Sequence, residues 1–174
     1  MGMRTVADAI AEWLHEKRIE TVFGIVGGGN TTLFEAIDKL GKTRIICQHH
    51  EQACVMAAAA FYRISGRISA ALVTTGAGST NAITGVVAAW MDSTPLIVIS
   101  GNEAEKYMDK PTRVWGVQGY DSVAMVASVT KFNGRAVSSY PVTQQLDFAL
   151  KEALEPRQGP VWVDIPKSVQ NATV

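Results

Sequence analysis

Apolar positions in this chain recur at helical spacing in some stretches and run unbroken in others, and the two kinds alternate. Val6, Ile10, Ala11 and Leu14 predict an amphipathic helix within Met1 to Glu16. Thr21 to Ile25 is a short apolar, β-branched run that reads as a strand, and Gly27-Gly28-Gly29 follows it. Leu33, Phe34, Ile37 and Leu40 predict a second helix, ended by Gly41. The strand Arg44 to Cys47 comes next, then a helix from Glu51 to about Ser65, then Gly66. Ser69 to Val73 reads as a strand broken by Thr74-Thr75-Gly76-Ala77-Gly78, and Thr80 to Met91 as a helix. Pro95 to Ser100 is an uninterrupted apolar strand, and Gly101 to Gly119 looks irregular. A weak helix is expected over Asp121 to Ala127 and a strand around Ser128 to Phe132. Pro141 to Leu154 is the last predicted helix and Val161 to Ile165 the last strand.

Continuous apolar strands mark a parallel sheet covered on both faces. Their alternation with helices predicts an α/β fold: a doubly wound open sheet, mostly parallel, of about six strands with helices on both faces. In such folds ligands sit beyond the carboxyl ends of the strands. Gly27-Gly28-Gly29, His50-Glu51 and Thr75-Gly76-Ala77-Gly78 all fall there. Two helices have almost no polar face, Ala53 to Tyr62 and Ala82 to Trp90, so a partner is expected to cover them.

Composition narrows the class. At 174 residues, 47% hydrophobic and with formal net charge +0, the chain suits one soluble globular domain. It carries no basic excess for nucleic acid, no apolar stretch of membrane-spanning length and no signal-peptide pattern at its start. Cys47 and Cys54 have no metal-ligand spacing and are expected as buried free thiols of a cytoplasmic protein.

Candidate chemistry concentrates at His50-Glu51-Gln52, where a strand meets the Ala-rich helix. A carboxylate entering so apolar a stretch loses hydration, which disfavours its charged form. Glu51 is therefore a candidate proton donor or acceptor, against the plain alternative of an acid in a helix first turn. Gly27-Gly28-Gly29-Asn30 precedes a helix as phosphate loops do. It lacks the full G-x-G-x-x-G pattern and the Lys of a P-loop, and Gly76-x-Gly78-x-x-Asn81 is likewise incomplete. Tight turns alone would account for either loop.

Taken in order, Val22-Phe23-Gly24-Ile25-Val26-Gly27-Gly28, His50-Glu51-Gln52, Thr74 to Asn81, Met91 to Gly101, Val129-Thr130-Lys131 and Gly159 to Pro166 form one ordered set. That set resembles the N-terminal pyrimidine-binding domain of thiamine-diphosphate-dependent enzymes, closest to the acetolactate synthase, pyruvate oxidase and 2-oxo acid decarboxylase group. The resemblance implies that Glu51 hydrogen-bonds the aminopyrimidine ring of thiamine diphosphate. Proton sharing there would favour the imino tautomer that removes the thiazolium C2 proton, and the carbanion so formed would attack a small 2-oxo acid. It also implies cofactor contacts at Val26, Gly27, Thr75, Gly76 and Asn81, and puts Gln118 near the active centre. For His50 it leaves a catalytic role and simple packing beside Glu51 both open.

Two departures bear on activity. Acetolactate synthases usually read Ala-Phe-Gln-Glu where this chain has Gly116-Val117-Gln118-Gly119, and a Pro where it has Ala77. The chain also contains no Gly-Asp-Gly, the motif through which the family binds Mg²⁺ and the diphosphate in another domain. The expectation is a single pyrimidine-binding domain, either excised or a subunit of a split enzyme, inactive alone and without a metal site of its own. Its expected partners are the missing diphosphate-binding part and further copies, as homodimer or homotetramer. FAD in the full enzyme is left open. Acetolactate synthase-like decarboxylation with carboligation is preferred; a 2-oxo acid decarboxylase and a non-catalytic nucleotide-binding or regulatory module are the alternatives.

Overall fold

A computed structural model describes residues 3–108, 111–138 and 141–174. The sheet has six strands in the order β2-β1-β3-β4-β6-β5. They span Thr21–Gly24 (β1), Arg44–Cys47 (β2), Ala70–Val73 (β3), Leu96–Asn102 (β4), Phe132–Arg135 (β5) and Pro160–Pro166 (β6). Every pairing is parallel. The helices are Val6–Glu16 (α1), Thr31–Leu40 (α2), Glu51–Ser65 (α3), Ala77–Met91 (α4), Ser122–Val126 (α5), Val142–Leu154 (α6) and Lys167–Gln170 (α7). This is the doubly wound α/β fold expected from the alternation.

Two cores sandwich the sheet. One gathers Ile10, Leu14, Leu33, Ile37, Leu72, Ile99, Leu146 and Ile165 beneath α1, α2 and α6. The other gathers Phe23, Val55, Ala58, Val73, Ala82, Val86 and Trp162 beneath α3 and α4. The central strands β3, β4 and β6 are buried throughout, which is why their sequences are mostly apolar, with Ser100, Asn102 and Asp164 the buried polar exceptions. Residues beyond 129 are integral to this sheet, because β6 lies between β4 and β5. The chain ends meet: Val6 N–H donates to Ala172 O at 2.9 Å and Val174 N–H to Arg4 O at 3.0 Å.

Several expectations need correction. The first helix begins at Val6, where Thr5 and Asp8 form a reciprocal capping box; Met1 and Gly2 lie outside the described residues. The strand expected around Ser128 to Phe132 is β5, displaced to Phe132–Arg135. Ala127–Val129 continues α5 as a 3₁₀ turn, and β5 is a half-buried edge strand whose Asn133 and Gly134 carry no strand signal. α4 starts at Ala77 rather than Thr80. The stretch after β4 has a 3₁₀ turn at Glu105–Tyr107 and a bridge pairing Trp115 with Gly119; Asp109 and Lys110 lie outside the described residues. α7 carried no signal beforehand. Cys47, expected buried, is exposed at the end of edge strand β2. In the two helices expected to be covered by a partner, Val86 and Phe61 pack inward: Val86 is fully buried, and Phe61 meets Phe23 edge-on at 6.2 Å.

Candidate active site

Strand order reverses between β1 and β3, from which the chain winds outward in opposite directions. The crevice above that switch point is where open parallel sheets bind ligands. The loop after β1 carries Gly27-Gly28-Gly29, and the loop after β3 carries Thr75-Gly76-Ala77-Gly78. β2, beside β1, leads into His50-Glu51 at the start of α3. Topology thus brings together segments that are distant in sequence.

Polar side chains fix the first loop from beneath. Asn30 is fully buried: its Oδ1 accepts from Gly27 N–H at 2.8 Å and its Nδ2 donates to Ile25 O at 3.1 Å. Gln170, also fully buried, donates to Gly29 O at 2.6 Å and Ile165 O at 2.7 Å. Thr74 accepts from Gly29 N–H at 3.0 Å and so ties the first loop to the second. Neither Gln170 nor Thr74 stood out as a site residue in the sequence. Only their contacts reveal them.

Glu51 is 8% exposed, at the first position of α3. Its Oε2 accepts from Asn81 Nδ2 at 3.0 Å. Its Oε1 lies close to Gly78, where a Cβ would come within 3.2 Å of it and within 2.6 Å of Thr74 Cγ2. A side chain at position 78 would clash with Thr74 and press on the carboxylate, so glycine there lets the start of α4 pack closely on both. The charge at Glu51 is felt nearby. The Cys54 thiol is pushed up to about 12, first by burial and then by the carboxylate.

His50 is exposed and serves as the N-cap of α3, its Nδ1 accepting from Gln52 N–H at 3.2 Å. Thr75 turns its hydroxyl inward to Gly101 O at 3.2 Å, so its backbone rather than its side chain faces the crevice. That backbone carbonyl accepts from Gln118 Nε2 at 3.0 Å. Gly76 has φ +72, a conformation natural to glycine, and starts α4. Val26 is 56% exposed at the crevice rim and Gly27 sits against the Thr74 side chain. Glu51, Asn81 and Gly78 therefore form one cluster, and Thr75, Gly76 and Gln118 a second beside it.

A cavity of about 340 Å³ opens next to the second cluster, with Gly28, Gly29, Thr75, Glu103, Gln118 and Lys167 in its wall. A larger, shallow basin of about 760 Å³ involves His15, Arg18, Lys42 and Arg44. It lies at the amino ends of β1 and β2, remote from every sequence-predicted residue and on the wrong side of the sheet for ligand binding in this fold. Trp115 is 9% exposed with the Arg135 guanidinium 4.5 Å above its ring. It is a loop-packing residue.

Beneath that loop lies a charge the sequence did not announce. Asp164 is fully buried and accepts from Asn102 Nδ2 at 2.8 Å and Arg135 Nε at 3.3 Å. Burial pushes its carboxyl above the usual range, against the pull of Asn102 and Arg135. Among the described residues no group of three or more His, Cys, Asp or Glu is placed to hold a metal ion, and no helix is long and apolar enough to cross a membrane.

Residues 4–129 match the family described as thiamine pyrophosphate enzyme, N-terminal TPP binding domain. The chain is 34% identical over 171 residues to the acetolactate synthase isozyme 3 large subunit of Escherichia coli, covering 98% of the chain and 29% of that protein. It is 32% identical over 170 residues to the chloroplastic acetolactate synthase of Arabidopsis thaliana, covering 96% of the chain and 24% of the relative. A probable acetolactate synthase large subunit of Methanocaldococcus jannaschii is 30% identical over 168 residues, covering 97% and 28%. The chain thus spans less than a third of the length of these relatives.

Proposed function

The chain belongs to the thiamine pyrophosphate enzymes, matching their N-terminal TPP-binding domain, and from that premise we propose that it is the pyrimidine-binding half of an enzyme that decarboxylates and ligates 2-oxo acids in the manner of acetolactate synthase. One observation carries this reading: a nearly buried carboxylate, Glu51, oriented by Asn81 at 3.0 Å at the crevice where the strand order reverses.

These residues fit the cofactor. A buried acid with one oxygen engaged by Asn81 can present the other to a ring nitrogen. Gly78 lets the first turn of α4 approach the Glu51 carboxylate. The bound cofactor supplies a carbanion equivalent for attack on the 2-oxo acid carbonyl. The chain's own residues do three things toward that. Glu51 shares a proton with the pyrimidine ring. Asn81 keeps the acceptor oxygen in place. Val26, Gly27, Thr75 and Gly76 border the crevice the ring would enter, while Gln118 stands over the loop where a small acid would enter.

His50 acts as a helix cap rather than as a proton carrier in this reading. Mg²⁺, the diphosphate and any FAD would be held by the other domain or subunit of the enzyme. That arrangement makes the chain by itself inactive. The cytoplasm is its proposed compartment, consistent with the exposed free thiol of Cys47.

A second reading, decarboxylation without carboligation, draws on Val117 and Gly119, which stand where acetolactate synthases usually carry an aromatic and an acidic residue. Product analysis separates them: a condensed hydroxy-oxo acid supports the first, a free aldehyde the second.

The test of the site is Glu51→Gln in the enzyme that carries this chain. Gln keeps the shape and cannot share the proton, so turnover should fall by about 10²–10⁴ with the unfolding midpoint unchanged. Near wild-type turnover in this variant would sink the assignment.

A further inference from the structure

Helix α4 carries Asn81 but begins badly. Its N-cap is Gly76, which offers no side-chain hydrogen bond, and Gly78 lies in its first turn. A helix start with no side-chain cap and two glycines is intrinsically loose. α1 and α3, by contrast, are capped by Thr5 and His50. Something outside α4 must hold its first turn if Asn81 is to stay on Glu51.

The loop from Trp115 to Tyr120 supplies that hold. Trp115 and Gly119 exchange two backbone hydrogen bonds of 2.8 Å each, which close the loop on itself. Its base is anchored: Asn102 Nδ2 donates to Tyr120 O at 3.1 Å, Val117 N–H donates to Glu103 Oε1 at 3.2 Å, and Arg135 stacks on Trp115. From this base the Tyr120 hydroxyl reaches Ser79 Oγ at 2.8 Å. Ser79 is 1% exposed and its hydroxyl also donates to Gly76 O at 2.9 Å. A serine hydroxyl has one proton. Once that proton is given to Gly76, Tyr120 must be the donor to Ser79. The relay therefore runs Tyr120 to Ser79 to Gly76, across the first turn of α4 and two residues before Asn81.

We propose that Tyr120 is a positioning residue: acting through Ser79 it ties the uncapped first turn of α4 to the anchored loop and so holds Asn81 on the Glu51 carboxylate. This rests on the reading of Glu51 given above. Gln118, bonded to Thr75 O at 3.0 Å from the same loop, is the second rung of the same clamp. Burial raises the pKa of the Tyr120 phenol, against the pull of Ser79, in keeping with its part as a donor.

The experiment is a steady-state comparison in the enzyme that carries this chain, using Tyr120→Phe, Ser79→Ala, the double variant and Glu51→Gln. Tyr120→Phe keeps the ring and loses the hydroxyl. It should lower kcat about tenfold, with KM for thiamine diphosphate and the unfolding midpoint close to wild type. Ser79→Ala should match it, and the double variant should fall no further than either single, because one relay is broken in each. The proposal is overturned by wild-type kcat in Tyr120→Phe, by a change confined to KM, by a lowered midpoint with unchanged kcat per folded enzyme, or by multiplying effects in the double variant. Glu51→Gln separates the two readings. An active Glu51→Gln enzyme removes the functional assignment, whereas an inactive Glu51→Gln beside an unaffected Tyr120→Phe removes only the role of Tyr120.

Discussion

The two helical layers solve the same packing problem with different side chains. On one face α1, α2 and α6 contribute Trp13, Leu14, Leu33, Ile37 and Leu146. On the other α3 and α4 contribute Cys54, Val55, Ala58, Ala82, Val86 and Ala89. Large side chains bury much apolar surface and keep helices at ordinary separations. Small ones let backbones approach. At Gly85 of α4 a Cβ would come within 2.7 Å of Val55 Cβ and 3.2 Å of the Gln52 carbonyl. The close-packed layer is also the one whose helix starts carry Glu51 and Asn81. The large-residue layer supplies stability, and the small-residue layer sets the geometry of the site.

The largest effect that would test this division is a cavity in the first layer. Leu146 is fully buried in α6. Leu146→Ala should cost about 2–5 kcal/mol of unfolding free energy, measured by denaturant titration, while kcat per folded enzyme stays at the wild-type value. A drop in kcat would show that the two layers are not separable.

Gly85→Ala is the complementary test, with a smaller stability effect and a larger catalytic one. Overpacking costs about 1–3 kcal/mol, and replacing a mid-helix glycine returns about 1 kcal/mol. The net loss should stay below about 2 kcal/mol on those figures. The clash, however, falls on Val55 and presses on the Gln52 carbonyl, next to Glu51, so kcat should drop while the fold persists. Unchanged turnover would mean that the contact between the α3 and α4 starts tolerates their separation.

The same contrast explains what could be read from the sequence. β3, β4 and β6 were legible because burial on both faces demands unbroken apolar runs. β5 was misplaced because an edge strand needs less burial, and Phe132-Asn133-Gly134-Arg135 has no such run. Glu51 stood out because a carboxylate before an Ala-rich helix is chemically odd. Asn81 was reached through the resemblance, while its bond to Glu51 depends on how α3 and α4 pack. The Tyr120–Ser79 contact joins positions 41 apart, and the burial of Asp164 follows from the placement of β6 between β4 and β5. Neither leaves a periodic trace. The small-residue layer was read as apolar all round; its inner face proved to be core, and only part of its outer face stays uncovered.

That uncovered part gives the last and energetically mildest prediction. A groove of about 340 Å³ runs between α3 and α4 on their outer side, with Met56, Ala60, Ile64 and Ala88 in its wall. Met56 is 41% exposed, Ile64 88%, Trp90 40% and Met91 70%. The layer of large residues places its bulk inward; this one buries Val55 and Val86 but leaves Met56, Ile64, Trp90 and Met91 partly or largely exposed. Exposed apolar side chains bordered by the Arg63–Asp92 ion pair favour a partner, and closed two-fold pairing is the commonest way for a chain to cover them with a second copy. At micromolar concentration the chain should therefore sediment as a dimer or larger species. Ala88→Glu should shift it to monomer while changing unfolding free energy by no more than about 0.5 kcal/mol, as surface substitutions usually do. A wild-type chain that sediments strictly as a monomer would leave the groove without a self-association role. If Ala88→Glu instead unfolds the chain, then position 88 contributes to the core and the boundary between inner and outer faces of α4 must be redrawn.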